Sequence, residues 1–96
     1  MQVEGFEFAG PYFHTRRFQS DFGCVYLLLN PRNIVVDVGE TGSINERIIN
    51  HERKTCWFRH GCGETGLYVY ISQDANFRRT LERLIRTKYR PPCGQV

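Results

Sequence analysis

Two strand-like runs, residues 24–29 and 34–38, the second apolar but for Asp37, stand four residues apart, separated by Asn30-Pro31-Arg32-Asn33. That spacing leaves the chain little choice. Asn and Pro suit a tight turn, and the β-branched and aliphatic residues on either side suit strands, so the segment reads as an antiparallel hairpin. A symmetric turn pairs Leu29 with Ile34, Leu27 with Val36 and Val25 with Val38 on one apolar face, and sets Tyr26 opposite Asp37 on the other. The hairpin also decides what the next stretch is not. "VVDVGETGS", residues 35–43, has the strand, glycines and hydroxyls of a nucleotide-cradling loop. Its strand is antiparallel to its predecessor, however, unlike that of a βαβ nucleotide unit, and 96 residues are too few for a doubly wound sheet.

After Gly39 the apolar period changes. Ser43 and Glu46 have capping-box spacing, and Ile44, Ile48 and Ile49 form a helical stripe, so a helix is expected over 43–52 with Arg47 and His51 on one face. Residues 54–66 hold Cys56, Trp57, His60 and Cys62 among three glycines and read as an irregular loop, with Trp57 as a core or lid anchor. "LYVYIS", 67–72, is strand-like. A last helix is expected over 75–88, burying Phe77, Leu81, Leu84, Ile85 and Tyr89 and stopped by Pro91-Pro92. The first 22 residues read as a short extended piece and a surface loop. No repeat or linker divides the chain. The expectation is one α/β (α+β) domain over 1–96, with a small central antiparallel sheet of about three strands flanked by helices.

A formal charge of +3 with 41% hydrophobic residues is ordinary for a globular domain, and permits an anionic partner without requiring one. The longest apolar run, 24–29, is far below the roughly 20 residues of a membrane span, and no basic segment followed by an apolar one opens the chain. A cytoplasmic protein with reduced thiols is therefore expected. Cys56, His60, Cys62 and Cys93 are a candidate zinc set, but their spacing matches no common zinc module, and reduced core or loop thiols are the expectation.

The functional signal lies in joint spacing. "CVY" at 24–26 is followed ten residues later by "DVG" at 37–39, then by "GETGSINERIINH" at 39–51 and "RTLERLIRTKYRPP" at 79–92. In this order the chain resembles a GIY-YIG endonuclease domain over residues 23–94. Past the second triplet that family tends to read G-x-T-x-x-L-x-x-R-L-x-x-H. Gly39, Thr41, Arg47 and His51 fall in that register, with Ile44 and Ile48 at the apolar positions and Glu82 where the family's late helix carries its acid.

The resemblance implies hydrolysis of DNA phosphodiester bonds, in repair, recombination or restriction, with one divalent ion, magnesium or manganese, on Glu82. A single carboxylate is enough for magnesium, which keeps waters and takes phosphate oxygens. Arg47 would meet the charge growing on the phosphate. Tyr26 would take the proton of the attacking water, with His51 or Asp37 as the next acceptor; Asp37 could instead hold a metal-bound water. Arg79, Arg83, Arg86 and Lys88 would follow the DNA backbone. A homodimer or a partner protein would supply specificity. Two departures stand out: Asp37 replaces a tyrosine, and Cys93-Gly94 stands where an asparagine is common. They support an alternative, a nucleic-acid-binding module of the same fold with impaired catalysis. A further alternative is an interaction or zinc-stabilised structural domain. Taken singly, Tyr26 reads as a packed aromatic, Arg47 and His51 as a solvated helix face, and Glu82 as an ion-pair partner of nearby arginines.

Overall fold

The expected hairpin is the centre of the molecule. In a computed structural model that describes residues 1–94, strands β4 (Cys24–Leu29) and β5 (Val35–Thr41) pair antiparallel, and both are almost wholly buried. Around them lie β1 (Gln2–Val3), β2 (Phe6–Glu7), β3 (Ala9–Tyr12) and β6 (Leu67–Ile71), with helices α1 (Ile44–Ile48), α2 (Lys54–Arg59) and α3 (Ala75–Tyr89). The main sheet has four antiparallel strands in the order β3-β6-β4-β5, and β1 and β2 form a separate two-stranded ribbon. The α+β architecture is as expected. The fourth strand, β3, comes from the N-terminal stretch read as extended piece and loop.

Period-2 alternation splits the core into two layers. Cys24, Tyr26, Leu28, Leu67 and Val69 face α1 and α2, packing on Ile44, Ile48 and Trp57. Val25, Leu27, Leu29 and Val38 face α3, packing on Leu81 and Ile85 with Val3 and Phe8 from the N-terminal stretch. The register differs from the symmetric turn. Tyr26 lies opposite Gly39, and Leu28 opposite Asp37, because a bulge between Leu28 and Leu29 shifts the pairing. The offset is even, so Tyr26 and Asp37 keep the same face, but they are not neighbours across the strands.

Three element boundaries also differ. Ser43 caps α1, its hydroxyl accepting the Glu46 N–H at 3.3 Å, but the helix ends at Ile48 and His51 lies beyond it. Residues 54–59, expected as loop, form α2, whose aromatic and β-branched content hides its helical nature. Burial of Trp57, 0% exposed, anchors it instead. On α3, Asp74 accepts the N–H groups of Asn76 and Phe77, and Arg90 ends the helix in a left-handed conformation. Its buried stripe is narrower than expected: Leu84 and Tyr89 are exposed, and Arg78 is buried in a salt bridge to Glu40 at 3.0 Å.

The four cysteines divide. Cys56 and Cys93 form a disulfide, with Cα atoms 5.9 Å apart, while Cys24 and Cys62 are free and buried. The expectation of reduced thiols therefore fails for one pair. The C-terminal segment that carries Cys93 lies along the edge of the sheet, where the Cys93 N–H donates to the Val36 carbonyl at 3.0 Å. Arg86 likewise donates to the Val38 carbonyl. Together they satisfy outward carbonyls of an edge strand that would otherwise stand open. Among the described residues no helix is long and apolar enough to cross a membrane.

Candidate functional site

Tyr26, His51 and Arg47 meet under α1. The Tyr26 ring crosses the strand pair onto Gly39, where a Cβ would stand 2.3 Å from both Cζ and Oη of the phenol. Only glycine leaves room for that ring, which gives Gly39 of the second triplet a steric role. Thr41 next turns the chain into α1: its hydroxyl accepts the Ser43 N–H and donates to the Ser43 carbonyl, both at 3.0 Å.

At the far end of the ring, Tyr26 Oη is 2.8 Å from His51 Nε2. The Arg53 backbone N–H donates to His51 Nδ1 at 3.1 Å. A neutral imidazole accepting at Nδ1 carries its proton on Nε2, so His51 donates to the phenol oxygen. His51 is therefore not the proton acceptor that the sequence suggested. Burial, and then the charges of Arg47 and Arg53, pull its pKa down to about 4, which keeps the ring neutral. Burial pushes the Tyr26 phenol up to about 12, against the pull of Arg47 and Arg53.

Sequence reasoning placed Tyr26 and Asp37 on the hairpin face away from its apolar pairs; both are buried. Tyr26 is 1% exposed, its ring part of the apolar layer beneath α1 and α2. Asp37 is 0% exposed and saturated. Its Oδ1 accepts the Val38 N–H at 2.8 Å and Arg86 Nη2 at 3.2 Å, and its Oδ2 accepts Arg53 Nε at 2.7 Å and Trp57 Nε1 at 2.8 Å. Four donors leave Asp37 no lone pair for Tyr26 or for a metal-bound water. The two departures from the GIY-YIG pattern meet at this carboxylate. Gly94, at φ +76, lies so close that a Cβ would stand 2.9 Å from Asp37 Oδ1. Arg86 Nη1 also donates to the carbonyls of Cys93 at 3.3 Å and Gly94 at 2.8 Å.

Charge runs continuously from here. Glu52 accepts from Nη1 and Nη2 of Arg47, at 2.6 and 2.8 Å, and from Arg53 Nη1 at 3.4 Å. Pairing with Arg47 holds the Glu52 carboxyl well below the usual carboxylate range. Arg53 leads to Asp37, Asp37 to Arg86, and Arg86 Nε to Glu82 Oε2 at 2.7 Å. Glu82 is thus tied to the cluster only through Arg86 and Asp37, and makes no hydrogen bond to Tyr26, Arg47 or His51. Its Oε1 has no hydrogen-bond partner among the described residues. One free carboxylate oxygen fits an ion that keeps most of its waters.

Of the proposed backbone-tracking residues, Arg86 is spent inside the protein and Lys88 pairs with Glu4 at 2.9 Å. Arg79 and Arg83 remain exposed; among the described residues Arg79 meets only the Asn76 side chain, at 3.1 Å, and Arg83 has no ion pair. Sequence reasoning missed Glu52, which pairs with Arg47 and Arg53, and missed Arg53 and the polar end of Trp57, which reach Asp37. Cys62 lies apart from the Cys56, His60 and Cys93 group. No protein-family model, curated protein or solved structure matches the chain.

Proposed function

We propose that this chain is a metal-dependent DNA endonuclease of the GIY-YIG type, acting in the cytoplasm, with specificity supplied by a homodimer or a partner protein. The observation that carries the reading is the meeting of Tyr26 with Arg47 and His51, which lie more than twenty residues further along the chain and which the resemblance assigns to the same reaction. Arg47 receives the scissile phosphate by exchanging Glu52 for it. Both partners are partly exposed, at 32% and 61%, and such surface pairs contribute only about 0.2–1 kcal/mol, so phosphate can displace the carboxylate cheaply. As a phenolate, stabilised by the His51 Nε2–H and by Arg47, Tyr26 takes the proton of the attacking water. Glu82 Oε1 would hold the divalent ion, which supplies Lewis-acid stabilisation of the phosphate when bound.

A second reading is favoured by two observations: Tyr26 is 1% exposed, and Arg47 is engaged by Glu52. It is a nucleic-acid-binding module of the same fold that does not cleave. Cleavage of a panel of duplex, branched and single-stranded DNAs, with and without magnesium, separates the two. The endonuclease reading expects magnesium-dependent products whose rate rises about tenfold per pH unit through neutrality, because the phenolate is scarce. Salt-sensitive binding without products on any substrate would establish the module instead.

A further inference from the structure

The disulfide does not stand alone. Cys56 and His60, four residues apart on one face at the end of α2, and Cys93 from the C-terminal segment bring Sγ, an imidazole nitrogen and Sγ all within 4.8 Å of one another. The His60 side chain makes no hydrogen bond among the described residues and is exposed. We propose that Cys56, His60 and Cys93 form a redox-gated zinc site, closed by the disulfide and opened by reduction.

Geometry and chemistry both favour zinc. Tetrahedral zinc with bonds of about 2.3 Å to sulfur and 2.0–2.1 Å to nitrogen separates its ligand atoms by roughly 3.5–3.8 Å, so rotations of the side chains suffice to bring the three into place. Two thiolates and an imidazole suit zinc, not the oxygen-seeking ions assigned to Glu82. The third ligand does not depend on the S–S bond for its position. The Cys93 N–H to Val36 carbonyl bond, at 3.0 Å, and the Arg86 bond to the Cys93 carbonyl, at 3.3 Å, hold the segment in place after reduction. The fourth position is left to water. A cleft of about 300 Å³ runs beside His60 and Pro92, the neighbour of Cys93 in the chain, and is lined also by Arg32 and Arg59.

The chemistry balances. A phosphine reductant cleaves the S–S bond and becomes its oxide with oxygen from water, leaving two thiols; zinc then displaces both thiol protons. With neutral His60 the site carries no net charge. It rests on no part of the nuclease reading.

The test is zinc titration of the full chain against a chromophoric chelator, in air-oxidised and phosphine-reduced forms, with cobalt as a spectroscopic probe of tetrahedral thiolate coordination. One zinc per reduced chain and none per oxidised chain is expected. His60→Ala, at an exposed position, should weaken zinc by at least about tenfold, since even outer partners of metal ligands are worth 10–100-fold. Equal binding by both forms, no stoichiometric zinc on the reduced chain, or unchanged affinity in His60→Ala overturns the site. So does a reduced chain that loses its fold and is not restored by zinc.

Discussion

Replacing Asp37 with Asn removes one charge from a buried carboxylate that accepts four hydrogen bonds, while keeping its shape. In the parent, two guanidinium groups, an indole N–H and a backbone N–H converge on it, and it is fully buried. The amide offers one acceptor oxygen and turns an NH₂ toward donors, so at least one of Arg53, Arg86 and Trp57 loses its partner. Breaking a fully buried pair from one side costs about 3–5 kcal/mol. Arg53 and Arg86 are 26% and 20% exposed and keep Glu52 and Glu82. Partial hydration and those partners reduce the cost to about 2–4 kcal/mol. For a chain of this size that lowers Tm by about 8–30 °C. Urea unfolding followed by fluorescence of Trp57, the one tryptophan in the chain, measures it directly. A change within about 0.5 kcal/mol would refute the assignment of Asp37 as the pin between sheet edge, α2 and α3.

Gly39→Ala should cost about 1–3 kcal/mol by forcing the Tyr26 ring away. Combined with Tyr26→Ala, it should cost markedly less than the sum; strict additivity in urea unfolding would mean that the ring does not rest on Gly39. His51 has a folded pKa of about 4 against about 6.5 unfolded, so its neutral burial contributes stability above pH 6.5 that is lost as pH falls toward 4, on the order of 3 kcal/mol in full. Stability curves of the parent and His51→Gln should therefore converge on acidification, and parallel curves would contradict neutral burial. Replacing both Arg79 and Arg83 with Gln should weaken DNA binding similarly across sequences and reduce the salt slope by about 2. An unchanged slope of log affinity against log salt would assign those charges to solvation.

The hairpin was legible because its signal is local: two apolar runs and a turn. α3 was legible by its period and its terminal prolines. What the sequence concealed is non-local. The β4–β5 offset arises from a bulge, which leaves no period to read, and so Asp37 faced Tyr26 on paper but lies opposite Leu28. α2 is held by burial of Trp57 against His14 and His51, not by helix propensity. For the site, motif spacing named Tyr26, Arg47 and His51, which do meet. It gave no hint that Glu52 would occupy Arg47, or that Asp37 and Gly94, both departures from the motif, would be parts of one cluster. The Cys56–Cys93 pair is likewise invisible to spacing, since it depends on where the tail crosses the sheet edge.

Nicking of supercoiled plasmid by the parent, Tyr26→Phe and Glu82→Gln proteins across magnesium concentrations tests the proposed catalysis most directly. The parent should nick only with magnesium; Tyr26→Phe should lose about 10²–10⁴ in rate with its magnesium dependence unchanged, because only the proton acceptor has gone. Glu82→Gln should lose metal-dependent cleavage while retaining DNA affinity, because a charge that holds the ion and repels phosphate has been removed. Parent activity that survives both substitutions, or no parent activity at any magnesium concentration, would contradict the assignment of this site to phosphodiester hydrolysis.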